Sequence, residues 1–322
     1  MRMRSPRRWS HAVPEVPGWR FDLLSGYEDF CRRVRQLDAG SIKQQRTYLV
    51  RFLDWLSAGT QEEFLQRLTS RSLQQFQLEY ARDHGPGSRR WLQQSLRGLL
   101  RFLRRRGDLG QDLTGSVGTV HCTRLATVPK GIDSDSIRRL LESIDRSSAH
   151  GRRDFAILML LSTYGVRGGQ LRRLCLQDID WQNHRIHFPA LKRGNPVDQF
   201  LTPGAGNSLL AYIHDGRPSN GSCPEVFLSF DAPFRPFRRA ASFSEIVGQR
   251  LRQAGIVLAP GVSHGTHSFR HAFAMRLAGR VPFKHLADLL GHRDPASTWI
   301  YAKVDFATLA ETAQPWPEEV QP

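Results

Sequence analysis

Three short stretches near the C-terminus decide how the chain is read: Thr266-His267-Ser268-Phe269-Arg270-His271, Leu289-Leu290-Gly291-His292 and Ile300-Tyr301. With Thr266 as the cap of a helix over 267–279, His267 and Arg270 fall at i and i+3 and share one face. Phe269 and Phe273 take the opposite face and anchor it in a core. A histidine and an arginine at the positive end of a helix dipole make an anion site. Phe283, Leu286, Ala287 and Leu290 form the apolar stripe of a second helix, opened by Pro282 and stopped by Gly291. That leaves His292 in a turn. Asp294-Pro295, an N-cap followed by a proline at N1, starts a further helix over 295–305, which brings up Tyr301 nine residues beyond His292.

Working outward, Thr163-Tyr164-Gly165-Val166-Arg167 places an arginine just past a buried helix over 154–164, an awkward position unless the side chain aims into a site. Two short strands, 185–188 and 197–201, flank the turn-forming Lys192-Arg193-Gly194-Asn195-Pro196, so a lysine sits at a hairpin tip. Two arginines, two histidines, a lysine and a tyrosine are what metal-free phosphoryl transfer to a phenol requires. Guanidinium forks neutralise the non-bridging oxygens, and a general acid protonates the leaving oxygen. His264, His267 and His271 do not read as a metal site, because the helical zinc motif needs a glutamate after its first histidine and the residue here is Ser268.

The remaining composition fits this chemistry. With 322 residues, 40% of them hydrophobic, the chain has material for about two domains. Its longest uninterrupted apolar run, 155–161, is far short of the ~18 residues of a membrane span, so no membrane partner is expected. The basic N-terminus has no apolar run behind it and does not read as a secretory signal. Cys31, Cys122, Cys175 and Cys223 are scattered without a CxxC, as free thiols of a reducing, cytoplasmic compartment would be. Lys and Arg total 46 against 30 Asp and Glu, a net +16 carried mostly by arginine, which points to a polyanionic partner.

Residues 1–20 lack periodicity and read as a basic arm. Over 21–109 the pattern is helical: Tyr48, Phe52, Trp55 and Leu56 recur on one face. His84-Gly85-Pro86-Gly87 breaks the chain, and the last helix interleaves Trp91, Leu92, Leu99 and Phe102 with Arg89, Arg90, Arg97, Arg101, Arg104 and Arg105. Those arginines are expected on the phosphates of DNA. Residues 110–130 read as a linker, 131–305 as a second domain, and 306–322 as a C-terminal segment in which Phe306, Leu309 and Ala310 form a short apolar stripe. The fold class is mainly α with a small β-hairpin or sheet (α+β).

Taken together, Arg167, His267-x-x-Arg270, Leu289-Leu290-Gly291-His292 and Tyr301 resemble the signature of the tyrosine recombinase (phage integrase) family. The resemblance covers roughly 130–305 as that family's catalytic domain and, more loosely, the helical N-terminal part as its core-binding domain. It implies that Tyr301 attacks a DNA phosphate, giving a 3′-phosphotyrosyl intermediate and a free 5′-hydroxyl. Arg167 and Arg270 would clamp the phosphate oxygens, His267 would assist proton transfer and His292 would hydrogen-bond the phosphate. Lys192 would protonate the leaving 5′-oxygen, with Arg193 adjoining it. No cofactor is implied. The implied partners are double-stranded DNA with paired recombination half-sites and further protomers, as a homotetramer on DNA or an assembly with related recombinases, joined through 306–322. The implied function is site-specific recombination. The lack of an extra N-terminal arm-binding domain directs it to integration or transposition of a mobile element, in the cytoplasm on the nucleoid.

One position departs from the pattern. The family usually has an acidic residue three positions after the first arginine, and Gln170 stands here. It can accept a hydrogen bond but brings no charge, so activity is expected to be tuned, not abolished. Two other functions share these residue types. A type IB topoisomerase relaxes DNA without exchanging partners, but the Leu289-Leu290-Gly291-His292 turn favours the recombinase. A non-catalytic DNA-binding accessory factor would not need Arg167, Arg270 and Tyr301 intact.

Overall fold

The computed structural model describes residues 18–120, 128–191, 194–219 and 223–304. Lys192 and Arg193, most of the basic arm, linker residues 121–127 and the segment 306–322 lie outside the described residues. The chain divides into two compact units, 1–123 and 124–322, each with its own core.

In the first unit the described helices are α1 (Gly18–Arg33), α2 (Ala39–Leu56), α3 (Gln61–Arg67), α4 (Ser70–Asp83) and α5 (Pro86–Arg106). Local chemistry sets their ends. Asp38 caps α2, Thr60 caps α3, and Thr69 with Ser72 forms a capping box on α4, each cap worth about 1 kcal/mol. Pro86 opens α5 and Gly107, at φ 88°, closes it. Leu49, Phe52, Phe64, Phe76, Leu96 and Leu103 meet in the core. Leu113 and Val117 are buried with them, so the start of the expected linker packs on this unit. A single 3-10 turn, Thr114–Ser116, sets both side chains inward, and one turn is too short to register as a period.

The second unit contains α6 (Ser134–Glu142), α7 (Ala149–Tyr164), α8 (Gly168–Arg173), the strands β1 (Ile179–Asp180), β2 (Arg185–Phe188) and β3 (Val197–Phe200), then α9 (Pro203–Asp215), α10 (Ala241–Gln253), α11 (Thr266–Leu277) and α12 (Phe283–Leu289). Helix α7 is central and packs on α9, α10 and α11. Ala156, Ile157, Leu158, Leu160 and Leu161 are all fully buried, as a helix apolar all round must be. At its start the buried Asp154 carboxylate accepts from Arg153 Nε and from Arg250 Nε at 2.9 and 2.8 Å, tying α7 to α10. The sheet is antiparallel in the order β1-β2-β3, with Ile186 opposite Gln199 and Phe188 opposite Val197. Ile186 and Phe188 point into the core while Arg185 is exposed, the alternation that gives a strand one buried face.

Two expectations change. The two-residue β1 adds a strand too short to show a pattern. The stretch 295–305 is not an α-helix: it forms two 3-10 segments, Pro295–Ser297 and Trp299–Val304, separated by Thr298. Asp294 and Pro295 start it as expected, but Ser297, Thr298, Trp299 and Ile300 are weak helix formers, and Thr298 is fully buried. Among the described residues no helix is long and apolar enough to cross a membrane.

Candidate active site

Two segments of the second unit deliver the arginines. Helix α7 ends on Gly165, whose φ of 59° lets its N–H reach back to Leu161 O. A Cβ at Gly165 would lie 2.6 Å from the Phe273 ring, so a side chain has no room there. The chain then turns through the buried Val166 to Arg167, the N-cap of α8. Arg167 N–H donates to Gln170 Oε1 at 3.0 Å. Gln170 therefore holds the backbone of Arg167 from within α8, where the family's acid would stand, and brings no charge to its guanidinium.

Arg270 lies on α11, capped by Gly265, one residue earlier than expected because the Thr266 hydroxyl turns to Ser244 Oγ. It is only 4% exposed. Its Nη1 donates to Gly165 O at 3.0 Å and its Nη2 to Leu290 O at 2.6 Å. Arg167 Nη1 donates to the same Leu290 carbonyl at 3.2 Å. That carbonyl is free because α12 ends there, and it draws both guanidinium groups to one point. Neither arginine has a carboxylate within ion-pair distance among the described residues. Burial, then the neighbouring Arg167, pushes the Arg270 pKa down to about 9, and burial lowers that of Arg167 too. Two cations withdrawn from water without an anion favour an incoming phosphate.

His292 follows Gly291, which has φ 60° and packs so tightly on the hairpin that a Cβ would sit 2.7 Å from Val197 Cγ2. His292 Nε2 is 2.8 Å from Arg270 Nη2. Arginine only donates, so Nε2 accepts, and the ring proton is on Nδ1, which donates to Thr298 Oγ1 at 2.8 Å. Buried Thr298 thus fixes the tautomer of His292. We expect Thr298→Val, nearly isosteric, to bind DNA as before and to slow single-turnover cleavage about tenfold, the worth of one hydrogen bond.

His267 is exposed on α11 at a cleft of about 710 Å³, whose lining includes Arg167, Gly169, Arg172, His267, His292 and Arg293. Partial desolvation in the cleft, then Arg270 and Arg167, lower its pKa. Tyr301 is 3% exposed and packs with Phe273, Leu286 and Leu290. Burial raises its pKa against the opposing pull of Arg270 and Arg167, so the phenol keeps its proton. Its hydroxyl lies 2.9 Å from His271 Nδ1.

Four of the expected site residues are thus brought into one network or its rim: Arg167, Arg270 and His292 meet through Leu290 O and Nε2, and His267 lines the same cleft. Tyr301 sits alongside, and Lys192 lies outside the described residues. Sequence reasoning missed Thr298 and His271 as contributors. For His271 the sequence does carry a signal, since it follows Arg270 and stands four residues from His267, a spacing that by itself suggests only a metal ligand. Two other tyrosines of the second unit have structural partners. Tyr164 Oη donates to Phe200 O and accepts from Thr202 N, both at 3.0 Å, and Tyr212 Oη accepts from Leu228 N at 3.3 Å.

On α5 the arginines differ in their partners. Arg89 Nε donates to His84 O at 2.6 Å, and Arg97 donates to Val117 O and Gly118 O, each at 2.8 Å. Both act inside the unit, closing the end of α4 and pinning the chain after the 3-10 turn. Arg104 pairs with Asp112 at 3.0 Å. Arg90, Arg101 and Arg105 are exposed.

Residues 130–308 match the phage integrase family. The putative integrase/recombinase y4rF of Sinorhizobium fredii (strain NBRC 101917 / NGR234) is 36% identical over 300 residues, which span 92% of this chain and 69% of that protein. The tyrosine recombinase XerC of Shewanella amazonensis (strain ATCC BAA-1098 / SB2B) is 28% identical over 293 residues, spanning 83% and 94%. In fold, the chain is similar to the XerH site-specific recombinase bound to palindromic difH substrate in a post-cleavage complex. The TM-score is 0.69 at 17% identity, covering 96% of this chain and 92% of that one. The fold and these relatives define a DNA strand transferase acting in site-specific recombination. The chain belongs to the phage integrase family, as a tyrosine recombinase.

Proposed function

We propose that Tyr301 is the nucleophile, Arg167 and Arg270 the clamp on the scissile phosphate, His267 a group that assists proton transfer there, and His292 a hydrogen-bonding group at the phosphate. Tyr301 Oη gives up its proton to a base and bonds to phosphorus, the P–O5′ bond breaks, and Lys192 supplies the proton to the leaving oxygen. A 5′-hydroxyl from a second strand reverses the step. One phosphate ester replaces another, so rejoining needs no ATP. The observation that supports this reading best is the pair of guanidinium groups converging on Leu290 O, with no carboxylate beside them among the described residues.

Exchange between two duplexes uses four such centres, so four protomers gather on paired half-sites, with 306–322 as the joint between neighbours. The element served is a mobile one, integrated or transposed in the cytoplasm on the nucleoid, in keeping with the integrase/recombinase name of y4rF. A nicked duplex carrying two half-sites tests the reading: covalent adduct with strand exchange is expected. Adduct with relaxation alone would make the chain a topoisomerase, and binding without adduct would make it an accessory factor.

The exposed arginines of α5 supply the DNA-backbone contacts. Replacing Arg90, Arg101 and Arg105 together with Gln should flatten the dependence of log affinity on log salt, by about 0.9 for each phosphate that is no longer neutralised. An unchanged slope would mean that this face meets only solvent.

A further inference from the structure

His271 has no part in the roles assigned above, yet its Nδ1 is the polar atom that the Tyr301 hydroxyl meets, at 2.9 Å. It is half-buried on α11. Among the described residues, the titratable and charged groups around it are His267 and Arg270 on its own helix and Tyr301 on the 3-10 segment Trp299–Val304. Burial, His267 and Arg270 all oppose its protonation, so it stands neutral with a lone pair to offer. The phenol beside it is held in its protonated form. In the Nε2–H tautomer of a neutral imidazole, Nδ1 carries the lone pair and the phenol O–H donates to it. His267, in contrast, faces the cleft.

A protonated phenol is a poor nucleophile, and its proton must leave as the bond to phosphorus forms. The arginines favour the phenolate but cannot take a proton. We propose that His271 is the general base of the cleavage step, its Nδ1 accepting the Tyr301 proton as Oη bonds to phosphorus and the P–O5′ bond breaks. The leaving O5′ receives its proton from the general acid on its own side. In rejoining, His271 returns the proton to Tyr301 as Oη leaves. The inference rests on Tyr301 being the nucleophile.

The test compares the full-length protein with His271→Gln, each carrying tyrosine or 3,5-difluorotyrosine at 301, in single-turnover cleavage of a nicked suicide duplex between acid and alkaline pH. Glutamine keeps a hydrogen bond but cannot take the proton, and fluorination lowers the phenol pKa. Half-site binding should be unchanged and cleavage at neutral pH should fall about 10²–10⁴-fold. That deficit should narrow as pH rises, and narrow again with the fluorinated phenol. A deficit equal at every pH and for both phenols, or no deficit, would overturn the proposal. Should the substitution disturb folding, nitrogen NMR of the wild-type protein decides: an unprotonated Nδ1 on His271 at neutral pH is expected, and a protonated one overturns the base role. A covalent adduct formed by Tyr301→Phe would instead sink the underlying nucleophile assignment.

Discussion

Tyr301→Phe is expected to bind a half-site with wild-type affinity and to form no covalent complex with DNA. The substitution removes one oxygen and leaves the ring among Phe273, Leu286 and Leu290. The broken hydrogen bond to His271 costs about 1 kcal/mol of stability, in the range of an ordinary protein hydrogen bond, too little to unfold the unit. Denaturing gel electrophoresis of protein with a nicked duplex reads the result directly. A denaturant-resistant complex from the phenylalanine variant would require a different nucleophile. Tyr164 and Tyr212 are poor substitutes, since both hydroxyls are held by backbone groups away from the arginine pair.

The second large effect lies in the clamp. Arg167→Lys and Arg270→Lys should each lower the cleavage rate about 10²–10³-fold, the usual consequence of removing one preorganised donor from a developing oxyanion. Lysine keeps a charge but lacks the planar fork. At Arg270 the fork spans Gly165 O and Leu290 O at once, and one ammonium cannot hold both carbonyls and still face a phosphate. Position 270 should suffer more. The burial and the neighbouring Arg167 that bring arginine there down to about 9 would also lower a lysine below its ordinary range and weaken its charge as pH rises. Residual cleavage by Arg270→Lys should therefore fall with rising pH more steeply than that of Arg167→Lys. Cleavage at wild-type rates by both variants would contradict the clamp.

Much of this site was legible in the sequence because its side chains sit where helix ends put them. Gly165 stops α7 just before Arg167, Gly291 stops α12 just before His292, and the first five residues of α11 include His267 and Arg270. Punctuation by glycine, proline and capping residues is local, and it survives into the fold. What could not be read depends on contacts across the chain. The acceptor that gathers both arginines is the Leu290 main-chain carbonyl, and a carbonyl is the same at every residue. Thr298 matters through a hydroxyl aimed at His292, and in the sequence it is one more β-branched residue in a segment expected as α-helix. The arginines of α5 make the same point. Their spacing marks a basic helix, but only packing shows that Arg89 and Arg97 turn inward to backbone carbonyls while Arg90, Arg101 and Arg105 face out.

The central claim is that one phenolic oxygen carries the DNA strand between cutting and rejoining. It is tested most directly by trapping the covalent complex on a nicked duplex, digesting it with nuclease and protease, and locating the modified residue by mass spectrometry. The account predicts nucleotide attached through a 3′-phosphate to the peptide containing Tyr301, on the Tyr301 oxygen itself. Nucleotide on any other residue, or joined through a 5′-phosphate, would contradict it.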